Sequence, residues 1–390
     1  MSRGLLLVGA TVASFPGNGG IAWERLSWVL GFRKLDYDVL WVDQLGRGHC
    51  VQPAGSEEDG YANCLNIPWF EDIVERFGLA GSAALIGDDG ESLSGVSFDH
   101  VLAAADEAAL LVNPGGDLRH AEVKRRARRS AYIDVDPGFT QLWLASGRPV
   151  PRVEGHDLHF TIGENIGTPA SDLPTSGIEW RHTRQPVVLD DWPFAGAEAD
   201  AEPRFTTVGR WRGTGPHGPL GDIGQPFTSK GDELLGVLDI PARTGLDFEI
   251  ALDARGDEEP RALLESHGWR VVDPASVAAD LDSFRRYVQA SWAEFSVAKG
   301  AYVETRSGWF SERTARYLAS GRPALVQDTG FSRTLPVGEG LLAFRTLDEA
   351  VEGAARIAAD YERHRRTARR IAEECFDSDK LLTRLLEDAM

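Results

Sequence analysis

The sequence predicts an α/β protein built from two parallel-sheet domains in series, with a ligand cleft between them. Three observations lead to this prediction. With 390 residues, of which 42% are hydrophobic and 26% charged, the chain is globular and too long for one ordinary core. Apolar strand-like runs alternate with helical segments along both halves. A polar, proline-terminated stretch, AGAEADAEP at 195–203, is typical of a linker between the halves.

The first half opens with a strand, a glycine-rich loop, a helix and a second strand. The strand LLLVGA spans 5–10, the amphipathic helix runs from Ile21 to about Leu35, and YDVLWVD ends at Asp43. Three further apolar runs are expected to be strands, namely Ala109–Asn113, Ser130–Asp136 and Leu158–Gly163. Because nearly continuous apolar runs suit a sheet covered on both faces, we predict that the sheet is parallel.

The second half repeats this alternation. It begins with the strand RFTTVGRW at 204–211, followed by a glycine- and proline-rich loop and a helix that starts at Lys230. Strands DFEIALD, GWRVVD and LLAF follow, and a long helical tail begins near Leu347. We therefore assign residues 1–195 to a first domain and residues 204–370 to a second.

Charge excludes several classes of partner. The formal net charge is −19 and the pI is about 4.9, so the protein repels nucleic acid and anionic lipid surfaces. We expect no nucleic-acid partner, and any phosphate site must be a local basic pocket. No apolar run approaches the roughly 20 residues that span a membrane, so no integral membrane contact is expected.

Cysteine usage indicates the compartment. Cys50, Cys64 and Cys375 give an odd count without metal-ligand spacing, which argues against a disulfide framework or a zinc site. A reducing cytoplasm fits best. Few lysines among many arginines, together with abundant Ala and Gly, are typical of a high-GC bacterial source. The oligomeric state cannot be read from the sequence.

The stretch SGWFSERTARYLASGRP at 307–323 is the most informative part of the chain. A loop leads into a helix that Ser311 is expected to cap and that Gly321 and Pro323 terminate. The apolar strand ALVQ follows directly. A helix N-terminus beside such a strand offers unpaired amides and a positive dipole to an anion. The stretch therefore predicts a site for a phosphorylated ligand.

Four motifs, in this order and spacing, resemble those of GT-B glycosyltransferases of the group 1-like kind. They are GNGG at Gly17–Gly20, VGRW at Val208–Trp211, the 307–323 block and GEGLLAF at Gly338–Phe344. The resemblance implies two Rossmann-like domains that face an interdomain cleft, with a nucleotide sugar bound mainly to the second and an acceptor to the first. It also implies that a helix at 371–390 crosses back to the first domain.

The resemblance further implies which residues bind the donor. Backbone of the glycine turn would approach the diphosphate, a guanidinium at the Gly-Arg pair would bind it with two bonds, and the loop before the helix would contact diphosphate and base. Groups after strand ALVQ would touch the sugar. The residues in these positions are Gly17, Asn18, Gly19, Gly20, Arg210, Ser307, Gly308, Trp309, Phe310, Ser311, Asp328, Thr329, Gly330 and Glu339. Each also has a structural reading as a turn, a cap or a surface charge.

One position departs from the family pattern. Many members carry a ribose-binding glutamate five residues before the helix-ending glycine, and here Arg316 occupies that place. Glu304 and Glu312 form an E-x7-E string, as in several retaining families, but they lie about one helical turn early. The sequence therefore leaves the stereochemical course of the reaction open.

Catalysis by inversion requires a general base close to the acceptor hydroxyl. Asp136, at the carboxyl end of the strand SAYIDVD, is the first candidate and His182 the second. No metal cluster is visible, so we expect metal-independent transfer with no cofactor and a nucleotide-diphosphate sugar as co-substrate. The acceptor is expected to be a small molecule or a cell-envelope precursor.

Three alternatives remain open. An NAD-dependent oxidoreductase would use Gly17-x-Gly19-x-x-Ala22 as its fingerprint and Asp43 as a ribose ligand. Six residues, 11–16, separate the first strand from this fingerprint, which should follow the strand directly. The same GT-B fold could instead serve a nucleotide-sugar epimerase or a non-catalytic nucleotide-sugar-binding protein.

Overall fold

The computed structural model describes residues 2–53, 60–147, 149–195, 203–212 and 227–390. The chain forms two compact units. The first comprises Met1–Val135, Pro149–Thr161 and Ser378–Met390, and the second comprises Asp136–Arg148 and Ile162–Asp377. Most of the expected linker at 195–203 and of the glycine- and proline-rich loop after Trp211 lies outside the described residues, so the domain boundaries stay a prediction.

Strands and helices alternate along the described chain. The strands are β1 Leu5–Gly9, β2 Asp38–Gln44, β3 Ala83–Ile86, β4 Ser92–Gly95, β5 Leu110–Pro114, β6 Ser130–Asp134, β7 Leu158–Thr161, β8 Trp180–His182, β9 Arg204–Arg210, β10 Asp247–Asp253, β11 Trp269–Val272, β12 Ala293–Ser296, β13 Ala324–Gln327 and β14 Leu341–Phe344. The α-helices are α1 Gly19–Lys34, α2 Asn66–Arg76, α3 Phe98–Glu107, α4 Ala121–Arg126, α5 Phe139–Ala145, α6 Lys230–Leu235, α7 Ile240–Thr244, α8 Glu258–Ser266, α9 Pro274–Ala278, α10 Leu281–Ala290, α11 Gly300–Glu304, α12 Glu312–Ala319, α13 Leu347–Ala359, α14 Tyr361–Cys375 and α15 Ser378–Ala389.

The strands of the first unit run in the order β4-β3-β2-β1-β5-β6-β7. All neighbours pair in parallel except β3 and β4, which are antiparallel. Leu7, Leu40 and Leu111 from the central strands are buried with the apolar face of α3. Helix α15 packs on α1, where a Cβ at Gly31 would lie 2.5 Å from Leu382 Cδ1.

The second unit contains a six-stranded sheet in the order β11-β10-β9-β12-β13-β14, and every neighbouring pair is parallel. Its core is aromatic. Phe205 stacks on Phe248 with ring centroids 4.9 Å apart, and Phe295 stacks on Phe344 at 5.2 Å. The predicted α/β class is confirmed, with sheets that are predominantly parallel. Since the strands are parallel, the loops after β9, β12 and β13 meet at one edge.

Within the described ranges, no helix combines the length and apolar character that a membrane crossing requires.

Candidate functional site

Lys230 is the central cation at the carboxyl edge of the second sheet. It opens α6 directly after Ser229, whose hydroxyl caps the helix by accepting a bond from the Asp232 amide. Its side chain runs past β9, because a Cβ on Gly209 would lie only 3.0 Å from Lys230 Nζ. The ammonium nitrogen is 3.4 Å from Ser296 Oγ at the end of β12. Glycine at 209 therefore leaves the room that the lysine occupies.

A second cation, Arg313, is fixed beside the same strand ends. Its Nε donates to Glu294 Oε1 at 2.7 Å, its Nη1 to the Val208 carbonyl at 2.7 Å and its Nη2 to Ser296 Oγ at 2.8 Å. Glu294 is fully buried and Arg313 is only 12% exposed. Three hydrogen-bond partners hold the guanidinium, so Arg313 is a cation at a fixed position at the sheet edge.

The environment of Lys230 lowers its pKa to about 7. Withdrawal of the ammonium group from water is the largest cause, and the positive charge of Arg313 adds to it, while Glu294 and Glu312 act in the opposite direction. Near neutral pH the lysine is therefore poised between its two protonation states. An anion that reached Lys230 would favour the charged form and bind best where that form is populated.

Lys230 also lines a cavity with Trp211 and Leu252. Its volume of about 10 Å³ holds about one water molecule.

The loop before α12 is locked to the turn after β13 by Asn165. The Asn165 side-chain amide donates to the carbonyls of Arg306 (2.9 Å) and Gly330 (3.1 Å), and its backbone N–H donates to the Ser307 carbonyl at 3.2 Å. The Gly308 N–H donates to the Thr329 carbonyl at 2.9 Å. The structure thus brings together two predicted groups, 307–311 and 328–330, through a residue that the sequence analysis missed.

Gly308 lies at a crowded point of this loop. Its φ is +79°, and a Cβ there would lie 2.9 Å from the Asn165 backbone nitrogen. Gly177 has a matching φ of +77° with nothing within 4 Å. Both alanine variants carry the same backbone strain, so the crowding should make Gly308→Ala less stable than Gly177→Ala by about 1–3 kcal/mol. Urea unfolding checks this difference, and equal losses for the two variants would contradict it.

The helix predicted after this loop is confirmed as α12. Ser311 caps it, its Oγ accepting a bond from the Arg313 amide at 3.2 Å, and Gly321 ends it with φ +69°. Ser307 is fully buried, and its Oγ accepts a bond from the Trp309 amide at 3.3 Å. Phe310 is buried and stacks on Phe376 with ring centroids 5.1 Å apart. The hydroxyls of Ser307 and Ser311 are thus engaged in shaping the loop.

Arg316, which stands where a ribose-binding carboxylate was expected, is turned into the protein. Only 1% of it is exposed. Its Nη1 donates to the Glu312 carbonyl at 2.7 Å, and its guanidinium carbon lies 5.7 Å from the centroid of the Trp192 ring. The side chain at this position therefore serves the packing of α12.

Asp328 closes the turn after β13. Its Oδ1 accepts from the Gly330 amide (2.9 Å), and its Oδ2 accepts from Ser332 Oγ (2.8 Å) and Arg345 Nη2 (2.6 Å). Thr329 is also buried, and its hydroxyl donates to the Trp309 carbonyl. This geometry matches the turn-forming alternative for Asp328, since its carboxylate is already engaged within the protein.

Arg210 lies at the carboxyl edge where Lys230 lies, whereas Glu339 does not. Arg210 is about half exposed, and its Nε donates to Asp253 Oδ2 at 2.8 Å, between the last residues of two adjacent strands. Glu339 precedes β14 and pairs with Arg363. In a parallel sheet the start of one strand and the end of its neighbour lie at opposite edges. The structure therefore does not bring Glu339 to the edge where Lys230 lies.

The two candidate bases differ in their surroundings. Asp136 Oδ1 accepts a bond from the Tyr302 hydroxyl at 2.6 Å and lies 3.9 Å from Lys299 Nζ. The carboxylate is 44% exposed, so it is open to solvent. His182 is exposed on β8, with Nε2 2.8 Å from the Ile166 carbonyl. That contact makes Nε2 the donor nitrogen.

The glycine turn Gly17–Gly20 belongs to the first unit. Asn18 caps α1, its Oδ1 accepting from the Ile21 amide at 3.1 Å, and Gly19 and Gly20 form the first helical turn. Gly17 has φ +76°, the left-handed conformation that glycine favours. Whether its backbone meets a diphosphate stays a prediction.

Asp43 is buried under the loop that precedes this turn. Its Oδ2 accepts from the amides of Val12 (2.7 Å) and Ala13 (2.8 Å), and none of the residue is exposed. Burial raises the pKa of Asp43 to about 7. A ribose-binding carboxylate must face the ligand, whereas this one fastens a loop. The geometry thus gives the dinucleotide-binding alternative no ribose ligand at Asp43.

Among the described residues, no group of three or more His, Cys, Asp and Glu side chains could hold a metal ion. Metal independence stays a prediction.

Comparison with solved structures identifies the fold. An α-glucosyltransferase in complex with UDP and a 13-mer DNA containing an HMU base matches with a TM-score of 0.62 at 10% identity, over 99% of each chain. AviGT4, a glycosyltransferase involved in avilamycin A biosynthesis, matches at 0.58 and 12% identity, over 99% of this chain and 97% of that one. HepE from Anabaena in complex with UDP-glucose matches at 0.58 and 11% identity, over 99% of each chain.

No protein-family model and no curated protein matches the sequence. The structural matches cover essentially the whole chain, and these neighbours are GT-B glycosyltransferases. The chain therefore has the GT-B fold of two Rossmann-like α/β domains, which confirms the fold class predicted from the sequence.

Proposed function

We propose that this protein is a glycosyltransferase that moves a sugar from a nucleoside diphosphate sugar to a hydroxyl or amine of a small-molecule acceptor. One observation carries the proposal. At the carboxyl edge of the second sheet of a GT-B fold, Lys230 lies against Gly209 and Ser296, beside the buried charge of Arg313. Ligands of open parallel sheets bind at this edge, and a fixed cation there suits a diphosphate.

In the proposed reaction, the sugar–phosphate bond breaks and its electron pair passes to the diphosphate. Lys230 binds that leaving group and offsets its charge, as preorganised cations do in other transferases. The loop at 307–311, fastened by Asn165, forms a wall of the donor site. Asp136, exposed and hydrogen-bonded by Tyr302, accepts the proton of the acceptor.

A small-molecule acceptor is favoured by charge. Solved neighbours include α-glucosyltransferases in complex with DNA as well as AviGT4, which takes part in avilamycin A biosynthesis. With a formal net charge of −19, this chain repels a polyanionic acceptor such as DNA. UDP-sugars are the first donors to test, because UDP or UDP-glucose is bound in several of the neighbours.

Calorimetric titration with UDP, dTDP, GDP and NAD tests the proposal. We expect one of the nucleoside diphosphates to bind and NAD not to bind. Product analysis with the matching nucleotide sugar follows, with and without EDTA, and transfer is expected to survive chelation. Binding of NAD alone would contradict the proposal, and an epimerised nucleotide sugar formed without acceptor would favour the epimerase.

A further inference from the structure

Lys299 is a third cation near the carboxyl edge of the second sheet, and it belongs to none of the motifs in the sequence. It follows β12 and precedes α11, and its side chain is 46% exposed. Its ammonium nitrogen lies 4.8 Å from the centroid of the Phe139 ring and 5.3 Å from that of Tyr302. The aromatic rings thus hold the charge of Lys299 in place while leaving it accessible.

The segment that carries Lys299 is fastened to the segment that carries Lys230. The Gly300 N–H donates to the Thr228 carbonyl at 3.0 Å, and a Cβ on Gly300 would lie 2.0 Å from Thr228 Oγ1. Gln327 makes a second link, because its Oε1 accepts from the Ala298 amide (2.9 Å) and its Nε2 donates to Glu233 Oε2 (2.6 Å). The two lysines are therefore held at fixed positions on adjoining segments.

The negatively charged group nearest to Lys299 is the carboxylate of Asp136. Lys299 Nζ and Asp136 Oδ1 are 3.9 Å apart, which is longer than a hydrogen bond. The shorter bond to that oxygen comes from the Tyr302 hydroxyl, at 2.6 Å. Lys299 Nζ also donates a long hydrogen bond, of 3.4 Å, to that hydroxyl. Lys299 is thus a neighbour of the carboxylate proposed as base, on a segment that adjoins the one carrying Lys230.

We propose that Lys299 is a second diphosphate ligand, an inference that rests on the proposed function. Lys299 would contact the phosphate next to the sugar and link that phosphate to Asp136. As the sugar–phosphate bond breaks, the electron pair goes to that phosphate oxygen and the ammonium offsets the new charge. The acceptor oxygen bonds to the sugar carbon, and its proton passes to Asp136. When Lys299 turns to the phosphate, Tyr302 continues to hold the carboxylate in position.

The test compares Lys299→Met and Lys299→Arg with wild type in the complete chain, using UDP-glucose or whichever nucleotide sugar the wild type binds. For Lys299→Met we expect kcat to fall about 100-fold, the scale for loss of one preorganised charge donor, and donor Kd to rise less than kcat falls. Lys299→Arg retains the charge and should recover most of the loss. Lys34→Met, which removes a lysine of the first unit, should leave both constants unchanged.

The readouts separate this inference from the function on which it rests. If wild type binds and transfers the sugar but Lys299→Met keeps kcat and Kd within about twofold, Lys299 is no diphosphate ligand. If wild type binds no nucleotide sugar, both proposals fail. A loss in Lys299→Met with an equal fall in melting temperature, not recovered by Lys299→Arg, would indicate a structural role and also overturn the inference.

Discussion

Replacing Lys230 by methionine is expected to weaken binding of the nucleotide sugar by about 30- to 700-fold at pH 7. The estimate follows from the roughly 2–4 kcal/mol lost when one partner of a desolvated charge pair is removed. Methionine is unbranched and only one atom shorter than lysine, so it retains most of the apolar packing against β9. Calorimetric titration with UDP-glucose, or whichever nucleotide sugar the wild type binds, gives the Kd of each variant. Lys34→Met is the matched control.

The same lysine should make donor binding depend on pH. The pKa of Lys230 is lowered to about 7, so the free protein loses its charge there as pH rises. The diphosphate of a nucleotide sugar stays ionised throughout, so its affinity should fall as pH rises from 7 to 9, by at most about tenfold per unit. Lys230→Arg stays protonated and should bind with little change over the same range.

Two results would count against the role of Lys230. One is a Lys230→Met variant that binds the nucleotide sugar as tightly as wild type. The other is a Kd of the wild type that does not change between pH 6 and pH 9.

Replacing Glu294 by alanine is expected to lower the free energy of unfolding by about 3–5 kcal/mol. That is the scale for removing one partner of a buried ion pair, because the other charge stays behind in a nonpolar surrounding. Arg313 is only 12% exposed and cannot reach water without leaving Val208 and Ser296. Urea unfolding followed by tryptophan fluorescence measures the loss.

Asp253→Ala is the matched control for this variant. Asp253 pairs with Arg210 at the same sheet edge, but both side chains are well exposed, at 37% and 47%. An exposed pair is worth less than about 1 kcal/mol, so the control should lose little. The double variant with Arg313→Met and Glu294→Ala should recover part of the lost free energy of unfolding, since it also removes the buried charge left without a partner. Equal losses for Glu294→Ala and Asp253→Ala would contradict the assigned cost of the buried pair.

Much of the fold was readable from the sequence because apolar runs of strand length alternate with helical segments. The cap at Ser311 and the end of α12 at Gly321 follow from local chemistry, and both were predicted correctly. The antiparallel strand β4 was not predicted, since SLSG at 92–95 has no apolar pattern to distinguish it from a loop.

The candidate site was less predictable because its key contacts join residues far apart in the chain. Asn165 and Gly330 are hydrogen-bonded although 165 positions separate them in the sequence. No local pattern around Asn165 predicts this contact. Lys299 and Glu294 lie in WAEFSVAKG at 292–300, a stretch without any recognised motif. One signal was available there, a charged residue within an apolar strand, since Glu294 at such a position requires a cationic partner.

The crowding between Gly300 and Thr228 has a consequence for protein engineering. Because these two segments touch backbone to backbone, a change in either shifts the other, and the effects of substitutions in them will not add. Libraries meant to alter the donor should therefore randomise 227–233 and 298–300 together. Variants selected separately in each segment would often be incompatible when combined in one chain.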